Sequence, residues 1–430
     1  MGEKILKLTK HKGFDIFGFS LSETHTPSTA AVALTLAKLL KEKYDVPIVI
    51  GGNVHFEVAE TMLKTRLVDY LVCGEGIDIF LNLCKNLEEG MPLEKTQGIF
   101  FLDKKGKVRS TDFPKFLKKR VPIRPCFDGL PLDLYAPVVM FDVDGVKYIR
   151  KILILPYIFV NGCPNSCAYC PDAIGGCAIK KPEEVVEDLK FFSKRYKTKY
   201  FFFINTEINP TYEYANRLAD EIIKSDLEIY WSDCITFLDI SRKLLKKLKE
   251  AGASILVWGL ESGSRRILKF VQKPLPSFKY IEKILKKSYE LGIRNELDII
   301  CGFPYEREKD INLTIKFLLK VKKYVLQYHV SKFRPAGKMG LFPERYGIKL
   351  LELKPSTHRP GHTIPFEEIK GLEWQEKMKQ IDNFYEKIQR AVGLPRMEKT
   401  PSMDIERFLF IRRLRCEFHQ LVRDELVIKY

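Results

Sequence analysis

From Lys151 to about Gly340 the sequence alternates apolar, β-branched or aromatic runs with amphipathic segments, and this alternation is the strongest constraint on its fold. Strand candidates end near Val160, Ile204, Ser232, Trp258, Cys301 and Phe333. Helices are expected near Glu183 to Tyr196, Tyr212 to Ser225, Ser241 to Ala251, Tyr280 to Leu291 and Lys309 to Val321. Strands that alternate with helices build a parallel sheet, and six such steps suggest an open, partial (βα)6 barrel. Reactive groups in barrels of this kind gather at the carboxyl ends of the strands.

Residues 1 to about 110 repeat the pattern on a smaller scale. Phe14 to Ser20 reads as a strand, Thr29 to Tyr44 as an amphipathic helix and Pro47 to Gly52 as a second strand; after another short helix, Val68 to Gly76 reads as a third. An N-terminal Rossmann-like parallel sheet follows, with ligands expected beyond its strand ends, where Ser20, Ser22, Gly51 and Gly52 fall. Gly98 to Phe101 and the turn at Lys104 to Lys107 predict a terminal hairpin. Phe113 to Pro137 holds five prolines and reads as an extended linker. The expected boundaries are 1–110 for the first domain, 111–150 for the linker, 151–343 for the barrel and 344–430 for a mainly helical C-terminal extension. In that extension Phe408, Ile411, Leu414, Phe418, Leu421 and Val422 recur at helical spacing, which predicts an amphipathic helix packed on the barrel. His358 and His362 are four apart, but Pro360 and Gly361 between them forbid a metal-binding helix.

The chemistry points to Cys163, Cys167 and Cys170, spaced C-x3-C-x2-C in a loop after the first barrel strand. A structural zinc site usually takes four protein ligands, and a redox dithiol needs only C-x-x-C. Three thiols suit an iron-sulfur centre with one open coordination position. Zinc binding and chance clustering are the alternatives. The other cysteines, Cys73, Cys84, Cys126, Cys177, Cys234, Cys301 and Cys416, are scattered singly and read as small buried hydrophobes, with Cys177 set apart by its closeness to the loop.

With Tyr169 before the last cysteine, the loop resembles the signature of the radical S-adenosylmethionine (SAM) enzymes. The resemblance implies a 4Fe-4S cluster on the three cysteines, SAM chelated to the fourth iron, and reductive cleavage to a 5′-deoxyadenosyl radical. Three further stretches carry it. Phe201 to Glu207 ends where the family holds SAM's amino group, although G-G-E is absent, so Asn205 and Glu207 stand as amino-group partners or as an ordinary helix-capping turn. Gly259-Leu260-Glu261-Ser262-Gly263-Ser264 is similar to the family's ribose-binding G-[IL]-E-S-G-S segment, with Glu261 and Ser262 as the cofactor contacts. Leu297 to Glu306 resembles the strand ending in G-x-P-x-E, whose backbone at Gly302 lies along the adenine, while Glu306 could equally cap the next helix. Phe333 to Lys338 resembles the closing F-x-P-x-G turn, with Lys338 where a hydroxyl residue is common. Trp231, Asp233, Cys234, Gln327, Tyr328, Lys332 and Arg334 border strand ends and are substrate-contact candidates subject to the facing of each strand.

The N-terminal region is similar to the cobalamin-binding domain of one subfamily, through its strand-ending serines, Gly51-Gly52-Asn53-Val54-His55 and the Asp69 to Gly76 stretch. The family's cobalt-ligating D-x-H-x-x-G loop is not found, and His11, His25 and His55 stand in other contexts. The domain either binds cobalamin without a lower histidine ligand or has lost it.

At 430 residues, 45% hydrophobic and 30% charged, the chain has the composition of a soluble multidomain protein. No apolar run reaches membrane-spanning length and Met1 to Lys4 does not open a signal peptide, so a cytoplasmic location is expected. The net charge of +17 is spread over lysine-rich helices, which favours a solvated surface over a nucleic-acid platform. The resemblance implies a methyltransferase acting on carbon or phosphorus and drawing electrons from a flavodoxin- or ferredoxin-type donor. The alternatives are a radical SAM cyclase or rearrangement enzyme without cobalamin, an RNA methylthiotransferase, and a non-catalytic iron-sulfur electron carrier that would leave Glu261 and Gly302 without purpose.

Overall fold

The computed structural model describes residues 13–21, 27–52, 62–72, 76–111, 119–136, 138–143, 146–351 and 365–393. Ser22, His11, His25, His55, Cys73, Cys416, His358, His362 and the helical repeat from Phe408 to Val422 lie outside them. The chain divides into one compact unit of residues 1–119 with 349–367, and a second of 120–348 with 368–430.

In the first unit, β1 (Phe17–Leu21), α1 (Pro27–Lys41), β2 (Ile48–Gly52), β3 (Tyr70–Val72) and α2 (Gly76–Glu88) precede β4 (Ile99–Leu102) and β5 (Val108–Ser110). The sheet runs β1-β2-β3-β4-β5, parallel up to β3 and then antiparallel through the expected hairpin. Ile48, Val49 and Ile50 are all buried, the continuous apolar run of a strand covered on both faces. Ser20 pairs with Gly51 and Leu21 with Gly52 at the carboxyl ends of β1 and β2. At Gly52 the φ of +97° and a Leu21 carbonyl oxygen 2.1 Å from the position of a Cβ exclude any side chain.

The second unit opens with an antiparallel ribbon, β6 (Val138–Val143) and β7 (Val146–Lys151). Upstream of it, Arg120 to Asp128 is docked rather than free: Arg124 pairs with Asp188, Phe127 packs on Phe192 and Tyr196, and Asp128 binds Arg195 at 3.0 Å. The apolar run Lys151 to Val160, expected as a single strand ending near Val160, is broken. β8 (Ile154–Tyr157) joins the barrel sheet, whereas β9 (Val160–Gly162) turns away to pair antiparallel with β10 (Cys177–Ile179).

Next come α3 (Pro182–Tyr196), β11 (Tyr200–Phe203), α4 (Tyr212–Lys224), β12 (Tyr230–Ile235), α5 (Arg242–Glu250) and β13 (Ala253–Glu261). The barrel continues with α6 (Arg265–Phe270), α7 (Phe278–Glu290), β14 (Arg294–Cys301), α8 (Glu308–Val321), β15 (Gln327–Lys332) and α9 (Gly337–Leu341). Thr211, Ser241 and Ser277 each cap a helix by accepting a backbone N–H three residues on, which sharpens the start of α4, α5 and α7. The six-stranded sheet has the order β8-β11-β12-β13-β14-β15 and every pair is parallel.

Alternation divides the faces of this sheet. Tyr157, Phe201, Phe203, Trp231, Trp258, Leu297 and Tyr328 enter one apolar core with the helices, where Phe237 stacks on Trp258 at 4.6 Å. The residues between them, among them Phe202, Gly259, Asp298 and His329, therefore point to the inner face.

A helix outside the expected Phe408–Val422 repeat, α10 (Trp374–Val392), packs on α8, β14 and β15 through Ile381, Phe384, Ile388 and Val392. From it Lys377 reaches inward without any exposed surface, pairing with Glu368 at 2.7 Å and donating to the Phe303 carbonyl at 2.8 Å. No helix among the described residues is long and apolar enough to cross a membrane. Replacing Lys377 by alanine strands Glu368 and the neighbouring Glu306 without a cation, and equilibrium unfolding in denaturant should register a loss of about 3–5 kcal/mol. A loss below about 1 kcal/mol would mean that α10 holds without this charge.

Candidate functional site

The cysteine loop hangs from the β9–β10 hairpin, in which Gly162 pairs with Cys177. Backbone contacts fix its course. Cys163 N–H donates to Asp172 at 3.1 Å, Ala168 N–H to Val271 at 2.8 Å, and Met339 N–H to Ala168 at 2.9 Å. Gly337 follows the end of β15 with φ +56°, and a Cβ there would lie 2.5 Å from the Cys170 carbonyl oxygen. The Phe333 to Lys338 turn is thus the clamp of the cysteine loop, and Lys338 completes it by donating to the Ser166 carbonyl at 3.2 Å. Cys177 donates weakly to Gly162 within the hairpin.

Cys167 is buried, while Cys163 and Cys170 are partly exposed. Burial, then the Glu207 carboxylate, pushes the Cys163 thiol up to about 12. Burial, then Asp172, takes Cys170 to about 11, and burial also raises Cys167. Cys163 Sγ donates to Glu207 Oε1 at 3.1 Å, and Asn165 bridges both groups. Among the described residues no three His, Cys, Asp or Glu side chains close to single-ion distance.

Glu261 ends β13 in a left-handed conformation, φ +65°, just past a register shift against β14. It is 7% exposed and pairs with Lys273 Nζ at 3.3 Å. Burial opposes the charge on Lys273, but Glu261 and then Cys167 outweigh it and hold the ammonium above its usual range. Tyr169 also donates to Glu261; burial first, and this carboxylate next, raise its phenol well above the ordinary value. Gly259 makes the pair possible, since a Cβ there would sit 2.8 Å from Lys273 Nζ and 2.9 Å from Glu261 Oε1.

Asn205 has both ends occupied. Its oxygen accepts the N–H groups of Phe159 and Val160, each at 2.8 Å, and its nitrogen donates to Asp233 at 2.6 Å. Ser262 faces the helix layer, where its hydroxyl accepts from Ser264 N–H and meets Thr314. Gly302 has φ +87° and donates its N–H to Glu306 Oε2 at 2.6 Å, while Asp310 caps α8 by accepting from Arg307 N–H. A Cβ on Gly302 would strike Ile381 at 2.3 Å. Glu306 therefore holds the loop after β14 and is not the helix cap. Trp231 and Tyr328 turn outward into the core, and Lys332 is taken by Asp382 at 2.6 Å. Lys273 and Asp298 were not legible as site residues in the sequence. Lys273 sits in an irregular turn with no motif around it, and the strand parity that directs Asp298 inward needs the register.

An incomplete parallel barrel with a three-thiol loop clamped over its carboxyl end, facing a buried carboxylate–ammonium pair, defines a barrel enzyme of cofactor chemistry. Residues 157–318 match the family model described as the radical SAM superfamily, and over that stretch the chain carries a radical SAM domain. A protein of Pyrococcus horikoshii described as an uncharacterized methyltransferase is 28% identical over 345 residues, which is 78% of this chain and 70% of that protein. The anaerobic magnesium-protoporphyrin IX monomethyl ester cyclase of Rubrivivax gelatinosus is 24% identical over 300 residues, 68% of this chain and 52% of the cyclase, so the chain spans about half of that relative. Among solved structures, the radical SAM methyltransferase TsrM of Kitasatospora setae, with cobalamin and a 4Fe-4S cluster bound, is similar in fold. Its TM-score is 0.67 at 14% identity, over 89% of this chain and 82% of that one. The cobalamin-dependent enzyme OxsB, with aqua-cobalamin and SAM bound, gives a TM-score of 0.60 at 17% identity, over 90% of this chain and 55% of that one.

In metal-free protein the raised thiols make Cys163 and Cys170 slow nucleophiles, because only the thiolate attacks. Iodoacetamide near neutral pH should label exposed Cys126 first, and labelling of Cys170 and then Cys163 should rise as the pH climbs towards about 11 and about 12 respectively. Peptide mass mapping reads the order; equal labelling of all three at pH 7 would contradict it.

Proposed function

We propose that this chain is a SAM-cleaving methyltransferase that holds a 4Fe-4S cluster on Cys163, Cys167 and Cys170. The observation that carries the reading is the Glu261–Lys273 pair, buried at the strand end beside a loop that presents three thiols and no fourth. The donor set fits a cluster, whose corners stand farther apart than the ligands of a single ion and whose positive iron would draw thiols of raised pKa into their ionised form. Such a cluster, when bound, supplies the electron that cleaves the SAM sulfonium. The chain's own part is positioning. Glu261 accepts the ribose hydroxyls, Lys273 offers a buried cation to the SAM carboxylate, and Glu207, beside Cys163, suits its ammonium. Asn205 acts through the backbone it holds, and the Gly302 backbone offers a side-chain-free edge to the adenine. The electron would come from a flavodoxin- or ferredoxin-type donor in the cytoplasm.

Methyl transfer is supported by the likeness to the Pyrococcus protein and by the fold shared with two cobalamin enzymes. Ser20, Gly51 and Gly52, at adjoining strand ends of the first unit, would line a cobalamin face, with Ser22 just beyond the described residues. No histidine falls among the described residues of that unit. The likeness to the cyclase favours a second reading, ring formation.

Anaerobically reconstituted protein should show the charge-transfer absorbance of one 4Fe-4S cluster, and a Cys163/Cys167/Cys170 triple alanine variant should lose it. In the same preparation Glu261→Ala should weaken SAM binding roughly ten-fold or more, the equivalent of about 1.5–3 kcal/mol for hydrogen bonds to a charged acceptor. Unchanged SAM affinity would make Glu261 a structural residue. For the first unit, incubation with hydroxocobalamin and desalting should leave about one cobalamin per chain, with no nitrogen coupling from a lower ligand in the paramagnetic-resonance spectrum of the reduced state. Complete loss on desalting would move the reading to the cyclase-like alternative.

A further inference from the structure

The inner face of the barrel holds a group of side chains that cluster binding and SAM cleavage leave unused. Register places Cys234, Val257, Glu296 and Gln327 in one row across β12 to β15, and Gly259, Asp298 and His329 in the next row towards the cysteine loop. Glu296 is 2% exposed; its Oε2 meets His329 Nε2 at 2.6 Å, while its Oε1 is buried without a partner. The carboxylate of Asp298, half-buried beside them, has no hydrogen-bond donor and no cation within ion-pair distance among the described residues. The nearest ammonium, Lys273, is engaged by Glu261. A buried carboxylate oxygen without a donor costs free energy that a ligand's N–H would recover. On the β11 side of the same face, Phe202 and Ile204 are 37% and 45% exposed, unusual for large apolar side chains in and beside a parallel strand. Three strand spacings, about 14 Å along the curved sheet, separate β11 from β14.

We propose that Asp298, backed by the Glu296–His329 pair, is a subsite for a cationic nitrogen of the substrate, whose apolar part lies along Phe202 and Ile204. The substrate class is then an amine or amidine with an aromatic or aliphatic body. This deepens the reading of the barrel as a SAM-dependent active site and rests on it.

Charge supports the assignment. Asp298 is faced by Glu261 from β13, Lys273 from the turn after α6, Glu296 from its own strand and His329 from β15. Burial, and next Glu261, push its carboxyl up to about 7, outweighing the opposing pull of His329 and Lys273. A bound cation favours the ionised carboxylate, and its affinity falls as the pH drops below about 7 and Asp298 takes a proton.

The test uses full-length reconstituted protein with SAM and three probes: 2-phenylethylamine, its neutral isostere 2-phenylethanol, and 3-phenylpropionate. Calorimetry at pH 8 should show the amine binding at least ten-fold more tightly than the alcohol. Asp298→Asn should abolish that preference and Glu296→Gln should reduce it, each at an unchanged melting temperature; Asp298→Ser serves if the asparagine variant does not fold. Lowering the pH to 6 should weaken the amine and leave the alcohol unaffected. Equal or absent binding of amine and alcohol, a preference retained in Asp298→Asn, or tighter binding of the propionate would overturn the subsite. 5′-Deoxyadenosine formation by the wild type is followed separately: its absence refutes the SAM-cleaving reading, while its presence without an amine preference refutes only the subsite.

Discussion

One buried amide sets the geometry on which the site rests. Asn205 joins three strand ends at once, accepting from two successive N–H groups after β8 and donating to Asp233 of β12. Those two N–H groups belong to the residues where the chain leaves the barrel sheet and begins the hairpin bearing the cysteine loop. Without an internal acceptor they would be buried donors with no partner, a costly arrangement that the side chain of the neighbouring strand resolves. The loop's position is therefore set by the sheet, and the same sheet presents Glu261 across from it.

The two faces of the parallel sheet divide the labour of the second unit. One face is aromatic and aliphatic and meets the helices, which lets it be packed densely and held rigidly. The other face is left to polar groups and a few exposed apolar ones. Ionisable groups there are perturbed because they are sheltered from water by a rigid wall, and such perturbation tends to accompany function. Glu306 and Lys377 extend the principle to the rim. There Lys377 of α10 pairs with Glu368 and donates to the Phe303 carbonyl, joining the C-terminal covering to the loop that Glu306 holds at Gly302.

Much of this was legible in the sequence. The order of strands and helices from β11 to β15 follows from local periodicity, which depends on residues a few positions apart. The motifs around Cys163 and Glu261 were legible because their chemistry is packed into short stretches. What local pattern could not reveal were the long-range partners. The break between β8 and β9 interrupts an apolar run that reads as one strand, and only Asn205, more than forty residues on, makes the break possible. Asn205 itself reads as a polar strand end open to a ligand, whereas both of its functions are occupied within the protein. Lys273 owes its role to a fold that returns it over Gly259, and Asp298 to a strand parity that a bulge beside Glu261 makes hard to count.

Glu261 stands where the backbone is left-handed, a conformation that glycine adopts freely and a glutamate adopts only under constraint. The fold at this point tolerates local strain so that a carboxylate can be presented at the strand end. Selection for stability alone would drift towards glycine there and quietly delete the site. Glycine at that position would relax the backbone and remove the carboxylate from the strand end in a single step.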